Sequence, residues 1–341
     1  MSSGTRRRAI AFARRLRFYV IAAWSAVTLN FLIPRLMPGD PAQAVVQQLE
    51  VKNGQNLPPQ TVEAIRKLLG GVHENIAVQY WHYLGNLFTG NLGISTGNFP
   101  TRVTTLIGTA LPWTMLLMGV STVLAFLIGT GIGALCGWRP GTRTDSVLSP
   151  LSTFLAAVPY FWVALFALWL FAFRLGWFPL AGGHDPDADP SSPRYWLSVL
   201  HYGLLPALTI VFSSCGGWLL GMRNMTLTTT GEDFVLLARA KGLSNTRVLF
   251  RYAARNAMLP QLTGFALALG AIIAGSVLTE TVFTYPGVGS LLKQAIDNRD
   301  YPLMQGILLF TTLAVLVANF LADSVYVLVD PRTRAQGGDA S

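Results

Sequence analysis

Long apolar stretches alternate with shorter polar ones along most of this chain, and the apolar stretches are longer than the helices of a soluble core require. A helix needs about 20 mostly apolar residues to cross a bilayer. Stretches that meet this requirement lie at 18–36, 111–137, 147–173, 201–222, 262–283 and 303–329. The pattern predicts an all-α, polytopic membrane protein with six transmembrane helices.

The polar segments between these spans set the predicted domain organisation. Residues 1–17 form a basic tail, 37–110 a long region outside the cytoplasm, and 330–341 a second tail. The core, 111–329, holds the other five spans and a long connection at 223–261. Within the long outer region, apolar residues at helical spacing from 61 to 69 predict a short helix.

Composition and charge support this organisation and predict its orientation in the membrane. Apolar residues make up 52% of the chain and charged residues only 12%, which excludes an ordinary soluble domain. Sixteen of the 25 Lys and Arg residues lie in the two tails and in the connections after the second and fourth spans. Because cationic loops stay in the cytoplasm, we expect both termini there. The same one-sided distribution argues against nucleic acid as the reason for the net charge of +9.

The connection at 223–261 is much longer than a turn between two helices needs. Phe234 to Lys241 is predicted to form a short helix, which Gly242 ends in the left-handed conformation that glycine adopts most easily. Ser244 is then the N-cap of a second helix, 245–258, with basic residues on one face: Arg247, Arg251 and Arg255.

This helix–glycine–helix segment has two possible roles on periodicity alone. Its apolar residues can enter a groove on a cytosolic partner, with basic residues at the rim. Alternatively, both helices lie on the inner leaflet, with the basic face on anionic headgroups. The spacing of the residues does not favour one role over the other.

Several motifs occur in order along nearly the whole chain: Leu36–Pro41, Gly90–Ser95, Pro159–Trp162, Ala238–Ser244, Arg247–Arg251, Arg255–Pro260, Phe283–Gly289, Arg299–Pro302, and Asp323 with Asp330–Arg332. Together they resemble the binding-protein-dependent ABC permeases, in the dipeptide and oligopeptide branch. Ala238–Ser244 and the residues after it resemble the EAA loop of that family. Leu236 stands where the family's glutamate is expected, and Arg255 where its proline is expected.

The resemblance implies a type I importer permease fold in which spans two to five line a path and the outer two pack around them. It implies a bacterial cell membrane, a second homologous permease chain, two ATPase subunits and an extracytoplasmic solute-binding protein. ATP and Mg²⁺ belong to the ATPase subunits, and no cofactor is expected in this chain. The resemblance further implies that the loop docks on an ATPase through the following residues: Leu236, Leu237, Ala238, Arg239, Ala240, Lys241, Gly242, Leu243 and Ser244. It leaves peptides, nickel chelates and oligosaccharides open as solutes, with peptides expected.

The residues themselves agree that this chain does not hydrolyse ATP, since a phosphate-binding loop needs Gly-Lys and the sequence contains no such pair. A stand-alone secondary carrier would place carboxylates near the middle of its spans, whereas Glu280 and Asp323 lie towards span ends. Gly93–Gly97 fits the pattern of a hydrolase nucleophile elbow, but that elbow requires an α/β sheet. His73 lacks the second histidine of a zinc motif, so we expect neither an enzyme nor a metal site.

Overall fold

The computed structural model describes residues 3–36, 46, 50, 58–68, 75–272 and 277–329. Within these ranges the chain is helical, and the only strand pairing is an isolated antiparallel bridge between Ile94 and Arg102. The all-α prediction is therefore confirmed for the described residues. The helices are α1 (Ser3–Leu36), α2 (Pro59–Leu68), α3 (Ile76–Phe88), α4 (Val103–Trp138), α5 (Arg143–Ala157), α6 (Tyr160–Ala167), α7 (Pro193–Thr230), α8 (Asp233–Ala240), α9 (Asn245–Val248), α10 (Ala254–Ala271), α11 (Val277–Val282), α12 (Val288–Asp297) and α13 (Tyr301–Val329).

Three helices of the described chain are long and apolar enough to cross a membrane: α4, α7 and the part of α13 from Tyr301 to Leu321. A fourth span results if α5 and the helix from Tyr160 to Arg174 count as one, although the two are bent by 97°. These helices correspond to four of the predicted spans. The predicted tail 330–341 and most of the motif Leu36–Pro41 lie outside the described residues.

The helices extend well beyond the apolar stretches that predicted them. At about 1.5 Å per residue, the 36 residues of α4 and the 38 residues of α7 each cover more than 50 Å, compared with about 30 Å of hydrocarbon. α7 therefore continues to Thr230, so Arg223 lies in a helix and not in a connecting loop. Likewise α1 begins at Ser3 and includes the predicted basic tail. Apolar side chains indicate only the part of a helix that faces lipid. Backbone hydrogen bonds allow the helix to continue beyond that part into water.

The predicted third span, 147–173, is broken between α5 and α6. Val158 is extended, with φ −80° and ψ 123°, and Pro159 follows it as the N-cap of α6. A proline disfavours the helical conformation of the residue before it and has no N–H to donate, so the helix ends here. After α6, Leu168–Arg174 continues as a π-helical turn.

The described residues divide into two compact units, the first drawn from 3–113 and 287–320 and the second from 114–286 and 321–329. In the first unit, the core cluster lies between α4, α12 and α13, and its fully buried members include Val103, Val288 and Leu303. The predicted short helix at 61–69 is confirmed as α2. α3 packs on α1, where Phe31 is 2% exposed and lies against the rings of Tyr80 and Tyr83.

Polar side chains also connect α1 and α13 within the first unit. Asn30 donates to the carbonyl oxygen of Gln305 over 3.1 Å, and the Gln305 amide donates to the carbonyl oxygen of Asn30 over 2.9 Å. Such reciprocal bonds satisfy side-chain amides where lipid offers no partner. They fix the first predicted span to the last.

In the second unit, a glycine stripe on α4 packs directly against the backbone of α7. A Cβ atom at Gly129 would lie 2.7 Å from the carbonyl oxygen of Cys215, and Cβ atoms at Gly133 and Gly137 would overlap α7 in the same way. Small residues four apart allow two membrane helices to approach this closely. The close contact positions the C-terminal end of α4, which carries the site described next.

Candidate functional site

The segment from α8 to α9 is the predicted docking loop, and it forms a helical elbow. α8 covers Asp233–Ala240, as expected from the apolar run at its centre. Val235 and Ala238 lie three residues apart on one face and are 0% and 3% exposed. They pack against Val248, Ala253 and neighbouring side chains in a small apolar cluster. We call residues 233–248 the elbow.

Gly242 ends α8 as predicted, in the left-handed conformation with φ +74°. Its N–H donates to the carbonyl oxygen of Arg239 over 2.9 Å, and the N–H of Leu243 donates to that of Ala238 over 3.4 Å. These two bonds form a Schellman motif, which satisfies carbonyl groups at the end of a helix. Leu243 also packs on the cluster below α8, so the turn direction is set by both hydrogen bonds and apolar contact.

Beyond the turn, the chain differs from the prediction of a separate helix ending at Met258. Ser244 adopts the extended N-cap conformation before α9, although its side chain makes no cap hydrogen bond. α9 passes through a π-helical turn, Leu249–Ala253, directly into α10. No residue from 249 to 260 ends the helix. The elbow is therefore continuous with α10, which enters the predicted fifth span.

Trp138, the last residue of α4, links the elbow to the membrane helices. The guanidinium carbon of Arg239 lies 4.6 Å from the centre of the Trp138 ring, in cation–π geometry. Trp138 also packs on the cluster under α8 and on a second cluster that includes Met222 of α7 and Leu249. One aromatic side chain therefore contacts the elbow, α7 and the start of α10.

The outer face of the elbow exposes apolar side chains. Leu236 and Leu237 are 51% and 57% exposed, and Phe250, two residues beyond the elbow, is 58% exposed. Lys241 and the three arginines of the predicted basic face are also exposed. Burying a leucine side chain fully stabilises a contact by roughly 1.5–3 kcal/mol, so these two leucines can contribute substantially to binding a partner.

An ion pair with a buried carboxylate lies close to the C-terminal end of α4. Arg223 of α7 donates from Nη2 to Asp145 Oδ2 over 2.9 Å and from Nε to the other carboxylate oxygen. Asp145 also accepts from the Gly141 N–H over 2.9 Å and the Ser149 hydroxyl over 2.7 Å. The side chain of Asp145 is 5% exposed and that of Arg223 is 22% exposed, and this bidentate pair joins α5 to α7.

The family described as "Binding-protein-dependent transport system inner membrane component" matches residues 129–335, and the family of its N-terminal component matches 11–109. The first match covers more than half of the chain and includes the elbow. This chain belongs to that family. Because the family consists of membrane components of transport systems, the prediction of a permease, not an enzyme, is confirmed, as is the multi-pass membrane location.

Relatives of this permease have similar length and cover most of it. The chain is 34% identical to the oligopeptide transport system permease protein AppB of Bacillus subtilis, over 89% of the chain and 92% of the relative. It is 35% identical to the di/tripeptide transport system permease protein DppB of Pseudomonas aeruginosa, over 95% and 98%. A putative peptide permease protein of Brucella ovis is 33% identical over 90% and 93%.

In this permease, two family-like motifs that are about 200 residues apart meet in the first unit. Asp300 is 1% exposed and accepts hydrogen bonds from the Ser95 hydroxyl, from the Thr96 N–H over 3.0 Å and from the Gly97 N–H over 2.9 Å. It also caps α13 by accepting from the Leu303 N–H over 3.2 Å. Ser95, which fits the nucleophile pattern, therefore binds a structural carboxylate.

The two carboxylates that a secondary carrier could use are Glu280 and Asp323. Glu280 is buried in the second unit and accepts from the Thr114 hydroxyl over 2.8 Å. The side chain of Asp323 lies outside the described part of the structure. No group of metal-binding side chains occurs among the described residues.

Sequence reasoning did not identify Trp138, Asp145 or Asp300 as parts of these contacts. Trp138 follows directly on an apolar stretch, where a tryptophan usually indicates only the membrane interface. Asp145 and Arg223 are 78 residues apart, and Asp300 and Ser95 are 205 apart. No periodicity relates residues so distant in sequence.

Proposed function

We propose that this permease forms half of the translocation pore of an ATP-driven importer for di- and oligopeptides. In this proposal a second homologous permease chain completes the pore, two separate ATPase subunits bind ATP and Mg²⁺, and an extracytoplasmic binding protein delivers the solute. The chain lies in the bacterial inner membrane with six spans and both termini in the cytoplasm. The predicted domain boundaries are part of the proposal.

The observation that carries the proposal is the exposure of Leu236 and Leu237 on a helix that is itself held to α4 by Arg239 and Trp138. An apolar helix face kept in water is costly unless a partner covers it, and an apolar groove is the partner that such a face fits. The contact with Trp138 lets a movement of the covered helix reach the membrane helices. This is the arrangement that a coupling loop requires.

The names of the relatives favour peptides over nickel chelates or oligosaccharides as the solute. The relatives from Bacillus subtilis and Pseudomonas aeruginosa are named for oligopeptides and for di- and tripeptides, respectively. At 34% and 35% identity over nearly the full length, the transport path of this chain is expected to suit the same class of solute.

The proposal is tested by reconstituting the complete complex in proteoliposomes and measuring uptake of di- and tripeptides. We expect ATP-dependent uptake with all subunits present and none with this permease alone. Uphill transport by the permease alone would instead establish a secondary carrier. Turnover of a peptide by the permease alone would establish an enzyme.

The role of the elbow is tested with Leu237→Ser. We expect this change to weaken co-purification of the ATPase subunits and to reduce uptake, because it removes an apolar contact of the docking face. Leu180→Ser is the matched control, since Leu180 is 53% exposed but lies outside the elbow, between α6 and α7. Equal ATPase recovery and uptake in the two variants would contradict the docking role.

A further inference from the structure

A cavity of 460 Å³ lies within the second unit, among the helices that correspond to the predicted second to fifth spans. Its volume is within the range of about 300–1,000 Å³ that is typical of small-molecule sites. α4 contributes Met118, α6 contributes Tyr160, α7 contributes Ile210, Ser213 and Ser214, and α11 contributes Val277, Leu278 and Thr279.

The lining combines hydroxyl groups with apolar side chains, and none of its described residues is charged. Ser213, Ser214, Thr279 and Tyr160 supply the hydroxyls. The Ser213 oxygen is buried and has no hydrogen-bond partner among the described residues. A buried hydroxyl without a partner loses free energy relative to one in water, so its place in a cavity wall favours a ligand that supplies the missing bond.

The break between α5 and α6 makes the cavity possible. Because Val158 and Pro159 end α5, the chain turns by 97° and α6 begins at Tyr160, which lies on the cavity wall. Tyr160 therefore lines the same cavity as Ser213 and Ser214 of α7.

We propose that this cavity is a peptide-binding subsite inside the permease and that it recognises the main chain of the solute. This inference rests on the proposed function. A hydroxyl both donates and accepts, and each peptide group offers one donor and one acceptor, so the serine pair matches a peptide unit of any sequence. The apolar lining accommodates side chains. Because the described wall residues carry no charge, the subsite does not select peptides by the charge of their side chains.

Recognition of this kind suits a transport path. A neutral hydrogen bond formed in exchange for bonds to water contributes only modest net affinity, so the peptide is held without being trapped. A charged wall would bind one class of peptide tightly and exclude others. The binding protein sets the selectivity first, and the cavity keeps the selectivity broad within the membrane.

The first test fills the cavity with Ser213→Leu in the complete complex. ATP-driven uptake of trialanine is expected to fall to the level measured without ATP, while assembly with the ATPases is unchanged. The control is Thr312→Leu, which also replaces a hydroxyl in a membrane helix. Thr312 is exposed on α13, and its hydroxyl donates to the Leu308 carbonyl oxygen of its own helix. Normal uptake by Ser213→Leu would overturn the proposal.

The second test does not depend on a filled cavity. Ser214→Cys is introduced after the native thiols are removed by Cys136→Ser and Cys215→Ser. In working proteoliposomes, trialanine is expected to slow modification of this cysteine by a methanethiosulfonate reagent several-fold. The same rate with and without trialanine would overturn the subsite even if uptake is normal. Absence of ATP-driven uptake by the unaltered complex would instead overturn the proposed function, and the subsite with it.

Discussion

The guanidinium of Arg239 lies over the ring of Trp138, 4.6 Å from its centre, so a cation–π contact joins the elbow to the C-terminal end of α4. Trp138 is also the last residue of the helix whose glycine stripe packs on α7. In the proposed coupling, a displacement of α8 reaches these two membrane helices through one side chain. This relationship gives the proposed coupling a physical path.

Replacing Trp138 by Ala is expected to lower peptide uptake per ATP hydrolysed in the reconstituted complex. The change removes a cation–π contact of about 0.5–2 kcal/mol and the packing between the two clusters. Trp138→Phe is the control, because it keeps an aromatic face under Arg239. If the alanine and phenylalanine variants couple equally well, the contact is not part of the path.

At Gly242 the backbone conformation, not the available space, limits substitution. A Cβ atom there would meet nothing within 4 Å, but φ is +74°. A β-branched residue in this conformation costs roughly 1–2 kcal/mol, whereas Asn tolerates it. We expect Gly242→Val to reduce recovery of the ATPase subunits with the permease and Gly242→Asn to preserve it. Equal recovery of ATPase with both variants would exclude the Schellman turn as a requirement for docking.

Asp300→Asn is expected to destabilise the permease by about 2–3 kcal/mol, measured by thermal unfolding in detergent. The Asn amide would direct N–H groups at the donors of Ser95, Thr96 or Gly97, which now bind a carboxylate.

Asp297→Asn provides the matched control three residues earlier. Asp297 pairs with Lys293 one helical turn away, with side chains 58% and 48% exposed, and such exposed pairs contribute little. A fall in melting temperature as large for Asp297→Asn as for Asp300→Asn would show that the buried hydrogen bonds of Asp300 are not the cause.

The glycine stripe allows a test within a single helix. At Gly133 a Cβ atom would overlap the carbonyl oxygen of Leu219, so Gly133→Ala is expected to cost about 1–3 kcal/mol. At Gly131 a Cβ atom would meet nothing within 4 Å, and Ala is the better helix former, so Gly131→Ala is expected to be neutral or stabilising by up to about 1 kcal/mol. Thermal unfolding of both variants measures the difference, and similar melting temperatures would argue against close packing of α4 on α7.

Local sequence patterns predicted the elements of the elbow well. The apolar run before Lys241 and the glycine after it predicted α8 and the left-handed turn, and both are present. The extent of the helices was less predictable. The mostly polar segment from Arg223 to Thr230 continues α7, because a helix with satisfied backbone hydrogen bonds does not need apolar side chains outside the membrane.

The sequence by itself determined that this chain is a helical membrane protein, that it resembles a transport permease and that its long connection at 223–261 contains a helix ended by Gly242. These properties depend on composition and on residues within one or two helical turns of each other. Only the tertiary structure decided which partners the polar side chains find: Trp138 under Arg239, Arg223 on Asp145, Asp300 on Ser95, and hydroxyls around one cavity. Partners so distant along the chain meet through helix packing, which follows from the shape of whole helices and leaves no periodic trace in the sequence.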